Sequence, residues 1–413
     1  MNFISALACR IYQKILYCGS PLLAWRTPQP IRIENGLEEL AQVLAQHGVR
    51  RPLLAHGKTV GKLGLAQPLI AACERLGIEV VEYGDVTPDP SVETVEQARQ
   101  LFCARNCDAI VALGGGSPID CAKAVAARLA RPRKSLARMR GVLKVRRRNV
   151  PIYAIPTTSG SGSEATLATV VSNPISNEKY PISDPVLIPD YVVWDASLTQ
   201  TLPPDVTAQT GIDALTHAIE AYIGRSNTRH TRNMAVRAVK LIFRYLPIAY
   251  EHPDDLQARA AMQEASYCAG VAFTRAYVGY AHAVAHTLGG YYHMPHGLAN
   301  AIALPYVLDW SLSKAYRSLA ELAKYAGVCE VTDKRKVAAR KMIQAVRALC
   351  RRMQLPEHAS CIDPSEIPEM ARRAAREANP LYPVPRLMTR KDLARLYRVI
   401  AGSEPNPWQQ TIE

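Results

Sequence analysis

The chain has 413 residues, 48% hydrophobic and 21% charged, with a formal charge of +14. That length accommodates two domains, and the balance is that of a globular protein rather than a disordered or fibrous one. No apolar run reaches the roughly eighteen residues needed to span a bilayer, and the ten cysteines show neither disulfide-like nor zinc-like spacing, which fits a reducing cytoplasm.

At the N-terminus, Ile4, Leu7, Ile11 and Ile15 recur at helical spacing. No basic residue precedes this apolar stretch and it is short, so residues 1–27 read as an amphipathic helix that packs on its own protein or a partner chain, not as a targeting segment or membrane anchor. Strand and helix patterns then alternate. Pro52–His56 and Ile78–Tyr83 are strand-like, with a helical stretch, Leu63–Leu76, between them. Val92–Cys107 reads as a helix, Asp108–Leu113 as a buried strand, Ile119 to about Leu129 as a helix and Ile152–Ile155 as a strand. Such alternation predicts a parallel sheet covered by helices. Between the last helix and strand lies Arg128–Arg148, a run with many basic and no acidic residues. It lacks the interleaved aromatics of a nucleic-acid surface and reads as a solvated face or a rim that attracts an anionic cofactor.

Leu-Pro-Pro near Thr199–Pro204 interrupts the alternation, and the C-terminal half is helical: Val206–Ile223, His230–Tyr250, Leu256–Phe273, Tyr280–Leu288, Leu298–Leu308, Lys314–Ala326, Asp333–Met353 and, after a Pro-rich break at Pro380–Pro385, Lys391–Ile400. The expected organisation is an α/β domain over 28–200 and an all-helical domain over 201–413.

Two loops of the α/β half come directly after strands. Gly114-Gly-Gly-Ser-Pro-Ile-Asp120 opens a helix, where glycines let backbone amides approach an anion and the helix N-terminus favours it. It is not the usual dinucleotide fingerprint, and a tight turn without a ligand explains it equally well. Pro156-Thr-Thr-Ser-Gly-Ser-Gly-Ser-Glu164 offers hydroxyls and exposed amides at the end of the next strand. The carboxyl ends of neighbouring strands are where an open α/β sheet binds its ligand.

The helical half holds the most concentrated chemistry. His282, His286, His293 and His296 place four of ten histidines within fifteen residues, His282 and His286 on one helix face. Imidazole is both a metal ligand and an acid/base near neutral pH, so the block alone allows a metal site or an acid/base site. On a separate helix Asp213 and His217 are also four apart. Asp213, His217, His282 and His296 make a plausible N/O set for a divalent first-row metal, catalytic rather than structural because it has no thiolate. His293 is left as an outer or surface residue.

In Gly114–Asp120, Ile155–Glu164, Gly211–Glu220 and His282–Gly297 the chain resembles the iron-containing (group III) alcohol dehydrogenases, in the family's order and over about Pro28–Gly327. The resemblance implies an N-terminal α/β, Rossmann-like dinucleotide-binding domain plus an all-α C-terminal metal-binding domain with a cleft between them, the architecture shared with dehydroquinate synthase. It implies that Asp213, His217, His282 and His296 hold Fe(II), or alternatively Zn(II), and that His286 lies beside the nicotinamide as the catalytic histidine. By the same carry-over, Gly115, Gly116, Ser117 and Asp120 are pyrophosphate-loop residues. Thr157, Thr158 and Ser161 are further cofactor contacts, and Lys179 lies near the nicotinamide ribose. One departure concerns the cofactor: Gly57, next to Lys58, stands where many NAD-preferring members carry an Asp, so NADP is accepted and expected to be preferred over NAD. The expected reaction is reversible hydride transfer between a primary alcohol or aldehyde and NAD(P), by a homodimer or larger homo-oligomer that binds neither nucleic acid nor membrane. The rival readings are a polyol dehydrogenase or dehydroquinate-synthase-like enzyme of the same fold, and a non-enzymatic basic binding protein. The intact Asp-His-His-His set favours the alcohol dehydrogenase.

Overall fold

A computed structural model describes residues 3–23, 25–34, 36–148, 150–174 and 178–409. The chain divides into two compact units, Leu23–Thr201 and Met1–Leu22 together with Leu202–Glu413. The first helix, α1 (Phe3–Gly19), therefore groups with the C-terminal half.

The unit Leu23–Thr201 is built on a six-stranded sheet, parallel throughout. Its elements are β1 (Gln29–Arg32), α2 (Glu38–Gln46), β2 (Pro52–His56), α3 (Lys58–Lys62), α4 (Gln67–Arg75), β3 (Val81–Tyr83), α5 (Val92–Ala104), β4 (Ala109–Gly114), α6 (Gly116–Ala130), α7 (Leu136–Met139), β5 (Gly141–Val142), β6 (Ile152–Pro156), β7 (Ala168–Asn173), β8 (Glu178–Ser183) and β9 (Tyr191–Trp194). The strand order is β1-β9-β6-β4-β2-β3. Every residue of β2, β4 and β6 is buried, as expected of strands covered on both faces. From β2 the chain steps outward to β3 and then returns to β4 on the other side of β2. The sheet therefore has its switch point between β2 and β4, where open α/β sheets take ligands.

The structure differs from the sequence expectations at several elements. The helix expected over Leu63–Leu76 begins only at Gln67, as α4, after Gly64 adopts a left-handed φ of +65°, and the short helix α3 ahead of it was not anticipated. The strand expected over Ile78–Tyr83 is paired only from Val81. Helix α6 starts at Gly116 and not at Ile119, so Gly116 and Ser117 belong to its first turn. A second, three-stranded sheet, β5-β8-β7, was not anticipated; β7 and β8 are antiparallel and β5 is parallel to β8.

Much of the basic run folds back on itself. Arg128 pairs with Glu96, and its Nη1 donates to the carbonyls of Arg131 (2.9 Å), Pro132 (3.1 Å) and Lys134 (2.7 Å). Arg131 Nε donates to Val145 O at 2.6 Å and Lys134 Nζ to Lys144 O at 2.9 Å. These cations satisfy loop carbonyls that no ladder reaches, a structural use of the charge.

The helical unit contains α8 (Pro204–Ile223), α9 (Arg229–Glu251), α10 (Leu256–Ala276), α11 (Tyr280–Tyr292), α12 (His296–Ala326), α13 (Arg335–Arg352), α14 (Ile367–Ala378) and α15 (Arg390–Ile400). The two helices expected over Leu298–Leu308 and Lys314–Ala326 are one: α12 runs unbroken through Ser311–Ser313, with Pro305 inside it. Helix α8 is buried all round from Gly211 to Ile223, the mark of a central helix. Its apolar residues Ile212, Leu215 and Ile219 are fully buried, each worth about 1.5–3 kcal/mol. Its buried polar residues Asp213, Thr216, His217 and Glu220 accordingly need partners.

The expected apolar face of α1 is not the one that docks. Ile4, Leu7, Ile11 and Ile15 are 76%, 49%, 53% and 64% exposed. The docked face runs through Ala6, Cys9, Arg10, Gln13 and Leu16, and its anchors are polar. Among the described residues no helix is long and apolar enough to cross a membrane.

Candidate metal centre and dinucleotide loops

Four side chains from three helices converge in the helical unit. Asp213 and His217 lie one turn apart on α8, His282 lies in the first turn of α11, and His296 opens α12. One ligand atom from each lies within 4.8 Å of all the others. His282 Nε2 is 3.8 Å and His296 Nε2 3.5 Å from Asp213 Oδ1. These are too long for hydrogen bonds. Two atoms bound about 2.1 Å from one ion at a tetrahedral angle lie about 3.4 Å apart, so the spacing matches shared coordination.

The surroundings fix these groups. Glu220, one turn beyond His217, is buried, and its Oε2 accepts from His282 Nδ1 at 2.7 Å and from the Gly279 amide at 2.7 Å. Its Oε1 accepts from the Ala281 amide at 2.8 Å. Because Glu220 is the acceptor, His282 carries its proton on Nδ1 and turns the Nε2 lone pair toward the Asp213 carboxylate. That Nε2 is buried without a hydrogen-bond partner. Burial, then the neighbouring His296 and His286, holds the His282 pKa well below its ordinary value, so the ring is neutral as ligation requires. Burial also pushes the Glu220 carboxyl up to about 7 against its three donors. A lone pair facing a carboxylate in a buried site is unfavourable unless a cation lies between them, and the residues fit a divalent metal. Asn300 Nδ2 donates to Asp213 Oδ1 at 2.7 Å, and Phe273 stacks on His217 with centroids 4.0 Å apart.

His286 is one turn beyond His282, its ring stacked on His296 at 5.2 Å. Its Nδ1 donates to Glu377 Oε1 at 2.6 Å, and the Tyr382 hydroxyl donates to the same oxygen at 2.7 Å. Against the upward push of burial, His286 and Tyr382 hold the Glu377 carboxyl below its ordinary value. His293 is exposed, at the left-handed end of α11.

In the α/β unit the loops after β4 and β6 touch. A Cβ on Gly115 would lie 3.3 Å from Thr158 Oγ1, and one on Gly116 3.4 Å from Ser161 Oγ. The Thr157 amide donates to Gly114 O at 3.0 Å. Gly57 and the exposed Lys58 come after β2, across the switch point. Lys179 Nζ pairs with Asp89 Oδ1 at 2.6 Å, and the Asp89 amide donates to Ser117 Oγ at 3.3 Å, which ties the small sheet to the glycine loop. Asp120 Oδ1 accepts from Ser163 Oγ at 2.6 Å and its Oδ2 from the Val170 amide at 3.0 Å, so the carboxylate braces the second loop. Lys123, one turn later and fully buried, donates to Ser163 O (2.5 Å), Thr166 Oγ1 (2.9 Å) and Ala168 O (2.9 Å).

Sequence reasoning missed Glu220, Lys123, Glu377 and Tyr382 as parts of the sites. Glu220 carried a signal, seven residues from Asp213 on the same face of a helix. Lys123 carried one too, a lone cation amid Ala122–Ala127.

A parallel sheet with glycine and hydroxyl loops at its switch point, in a chain that also gathers three imidazoles and a carboxylate, defines a metal-dependent, dinucleotide-linked oxidoreductase. Residues 28–196 match the sequence profile of iron-containing alcohol dehydrogenase, and residues 207–401 match that of the Fe-containing alcohol dehydrogenase family, C-terminal. The chain is 36% identical over 329 residues to an NADPH-dependent butanol dehydrogenase of Clostridium saccharobutylicum, covering 79% of this chain and 84% of that protein. It is 31% identical over 372 residues to an NAD-dependent methanol dehydrogenase of Bacillus methanolicus, covering 90% and 97%. The solved structure of a 1,3-propanediol oxidoreductase superposes with a TM-score of 0.87 at 32% identity, covering 92% of this chain and 99% of that one. The chain belongs to the iron-containing alcohol dehydrogenase family. It is an NAD(P)-linked alcohol dehydrogenase.

Proposed function

We propose that this protein interconverts short primary alcohols and aldehydes with NADP(H) as the preferred cofactor, using a metal held by Asp213, His217, His282 and His296. The observation that carries the reading is the buried His282 Nε2, without a hydrogen-bond partner and turned on the Asp213 carboxylate. A bound Fe(II) or Zn(II) supplies the Lewis acid that acidifies the alcohol and polarises the carbonyl in reverse. A bound nicotinamide would give or take the hydride, so no protein nucleophile is needed. Glu220 holds the proton of His282 on Nδ1, and Asn300 orients Asp213. His286, 46% exposed and braced by Glu377, moves the hydroxyl proton between the substrate side and solvent.

Gly115, Gly116, Ser117, Thr157, Thr158 and Ser161 would hold the pyrophosphate and neighbouring groups through close backbone approach, and Lys179 would serve the ribose. Asp120 acts by holding the second loop. NADP preference rests on the turn His56-Gly57-Lys58, which carries no carboxylate, while the nearby Glu82 is engaged by His56 at 2.7 Å. The butanol and propanediol relatives support a short-chain substrate. Family membership and ten unpaired cysteines support a homo-oligomer in the cytoplasm.

Anaerobically purified protein loaded with Fe(II) or Zn(II) should oxidise NADPH faster than NADH when given butanal, and His282→Ala should lose metal and turnover together. A fully active His282→Ala protein without metal would overturn the ligand assignment. Turnover confined to glycerol or another polyol would favour the polyol dehydrogenase reading.

A further inference from the structure

The amphipathic N-terminal helix precedes both family matches, the first of which begins at residue 28. Its docked face meets a segment with an unusual need. Pro380-Leu-Tyr-Pro-Val-Pro385 has three prolines and therefore three residues without an amide donor. It cannot form a ladder of its own, and its carbonyls need partners from elsewhere. Helix α1 provides four of them. Gln13 Nε2 donates to Pro380 O (3.0 Å) and Tyr382 O (2.8 Å), while Arg10 donates to Val384 O (2.7 Å) and Pro385 O (3.1 Å). Arg10 Nη1 also donates to Gln13 Oε1 at 2.8 Å, which locks the two anchors together. The Arg225 amide caps Pro383 O at 2.7 Å. Gln13 is 5% exposed, a buried amide with every described partner in place.

The residue in the middle of this segment reaches the candidate site. Tyr382 donates to Glu377 Oε1, the oxygen that also accepts from His286 Nδ1. A continuous set of hydrogen bonds thus runs from Gln13 to the Tyr382 backbone, then from its hydroxyl to Glu377 and His286.

We propose that α1 is a positioning element for the reaction: Arg10 and Gln13 hold Pro380–Pro385 so that Tyr382 and Glu377 fix the ring of His286. This rests on the reading of His286 as the histidine that handles the substrate proton. The geometry requires it to be a positioning role, because α1 touches His286 only through two intervening residues. The exposed apolar stripe of α1 takes no part in it.

The test uses the full-length, metal-loaded protein. Gln13→Ala should lower kcat about three- to tenfold, with metal content and the KM for cofactor unchanged. Tyr382→Phe should lower kcat similarly, and the double variant should lose no more than either single one, since both cut the same chain of contacts. Peptides covering residues 377–386 should exchange amide hydrogens faster in Gln13→Ala than in the parent protein. If Gln13→Ala fails to fold, Arg10→Ala, which leaves Gln13 on two carbonyls, replaces it and should show the same non-additivity with Tyr382→Phe. Wild-type kcat in the α1 variant, or losses that multiply in the double variant, would overturn the proposal. His286→Ala separates the two readings. If it lowers kcat while Gln13→Ala does not, only the role of α1 fails; if His286→Ala is fully active, the functional reading of His286 fails as well.

Discussion

Gly297 sits directly after His296, where α12 crosses α8. A Cβ there would lie 2.7 Å from the carbonyl carbon of Gln209, nearer still to its oxygen, and 3.2 Å from the Gln209 Cβ. The obstacle is backbone, four residues before Asp213, and cannot rotate away. Carbon contacts are comfortable at about 3.5–4.0 Å, so Gly297→Ala must move the start of α12 outward by about 1 Å. Overpacking of that kind typically costs about 1–3 kcal/mol. The larger effect falls on His296, because ligand distances tolerate only about 0.2 Å of error. We expect metal affinity to drop at least about tenfold, measured by competition with a chromogenic chelator, and the thermal midpoint of the metal-free protein to fall. Gly290→Ala on α11 is the control, since a Cβ there meets nothing within 4 Å. Equal metal affinity and equal melting in Gly297→Ala and the parent would refute the reasoning that this close approach sets the ligand spacing.

Glu220→Gln keeps the shape but turns an amide donor toward one of three existing donors, so metal affinity should fall about 10–100-fold; full metal retention under the same chelator would contradict the outer-ligand role. Burial lowers the Lys123 pKa from 10.5 to about 8, so between those values the unfolded chain holds a proton that the folded one has released. Stability contributed through this group therefore rises with pH across that window, by on the order of 3 kcal/mol, and urea midpoints of the parent should gain on those of Lys123→Met between pH 8 and 10.5. A constant difference across that range would refute the assignment. Gly57→Asp should lower kcat/KM for NADP about tenfold or more while sparing NAD, because a carboxylate near a 2′-phosphate repels it even after screening; unchanged selectivity would place the 2′-phosphate elsewhere.

The candidate metal cluster was legible in part because helical periodicity converts spacing into geometry: Asp213 with His217 announces a shared face, and the histidines that follow from His282 to His296 concentrate further donors nearby in sequence. The parallel sheet was legible from the apolar runs of β2, β4 and β6. What escaped notice depends on tertiary context. The apolar run around Lys123 hinted at burial, but the carbonyls and hydroxyl it serves, Ser163 O, Thr166 Oγ1 and Ala168 O, lie about forty residues away and are brought to it only by the fold. Glu377 lies in an Arg- and Glu-rich helix where charge is the expected solvent face, and only the fold brings it to His286. Helix α1 shows the limit of amphipathic reading: the apolar stripe is real, but the docked face was chosen by the carbonyls of a proline-rich partner that needed donors. The continuity of α12 was hidden by Ser311 and Ser313, polar residues in a helix whose Ser311 is nonetheless buried. The pairing of β7 with β8 was hidden by Pro181 and by the lack of a long apolar run in either strand, Ala-Thr-Val-Val-Ser-Asn and Glu-Lys-Tyr-Pro-Ile-Ser.

Glycines occur where the helices that carry the proposed ligands meet their neighbours: Gly211 against Leu246 of α9, Gly279 against Glu220 and Gly297 against Gln209. At two of these, the spacing of the cluster is set by main chain pressed on main chain or on a ligand-orienting carboxylate, not by the size of surrounding side chains. That arrangement separates two properties an enzyme engineer would wish to vary independently. Side chains lining a substrate pocket can be enlarged or trimmed, with losses in stability, while the coordination geometry persists. A library that spares these three glycines should yield changed substrate range with metal retained, and one that includes them should yield mostly metal-poor protein.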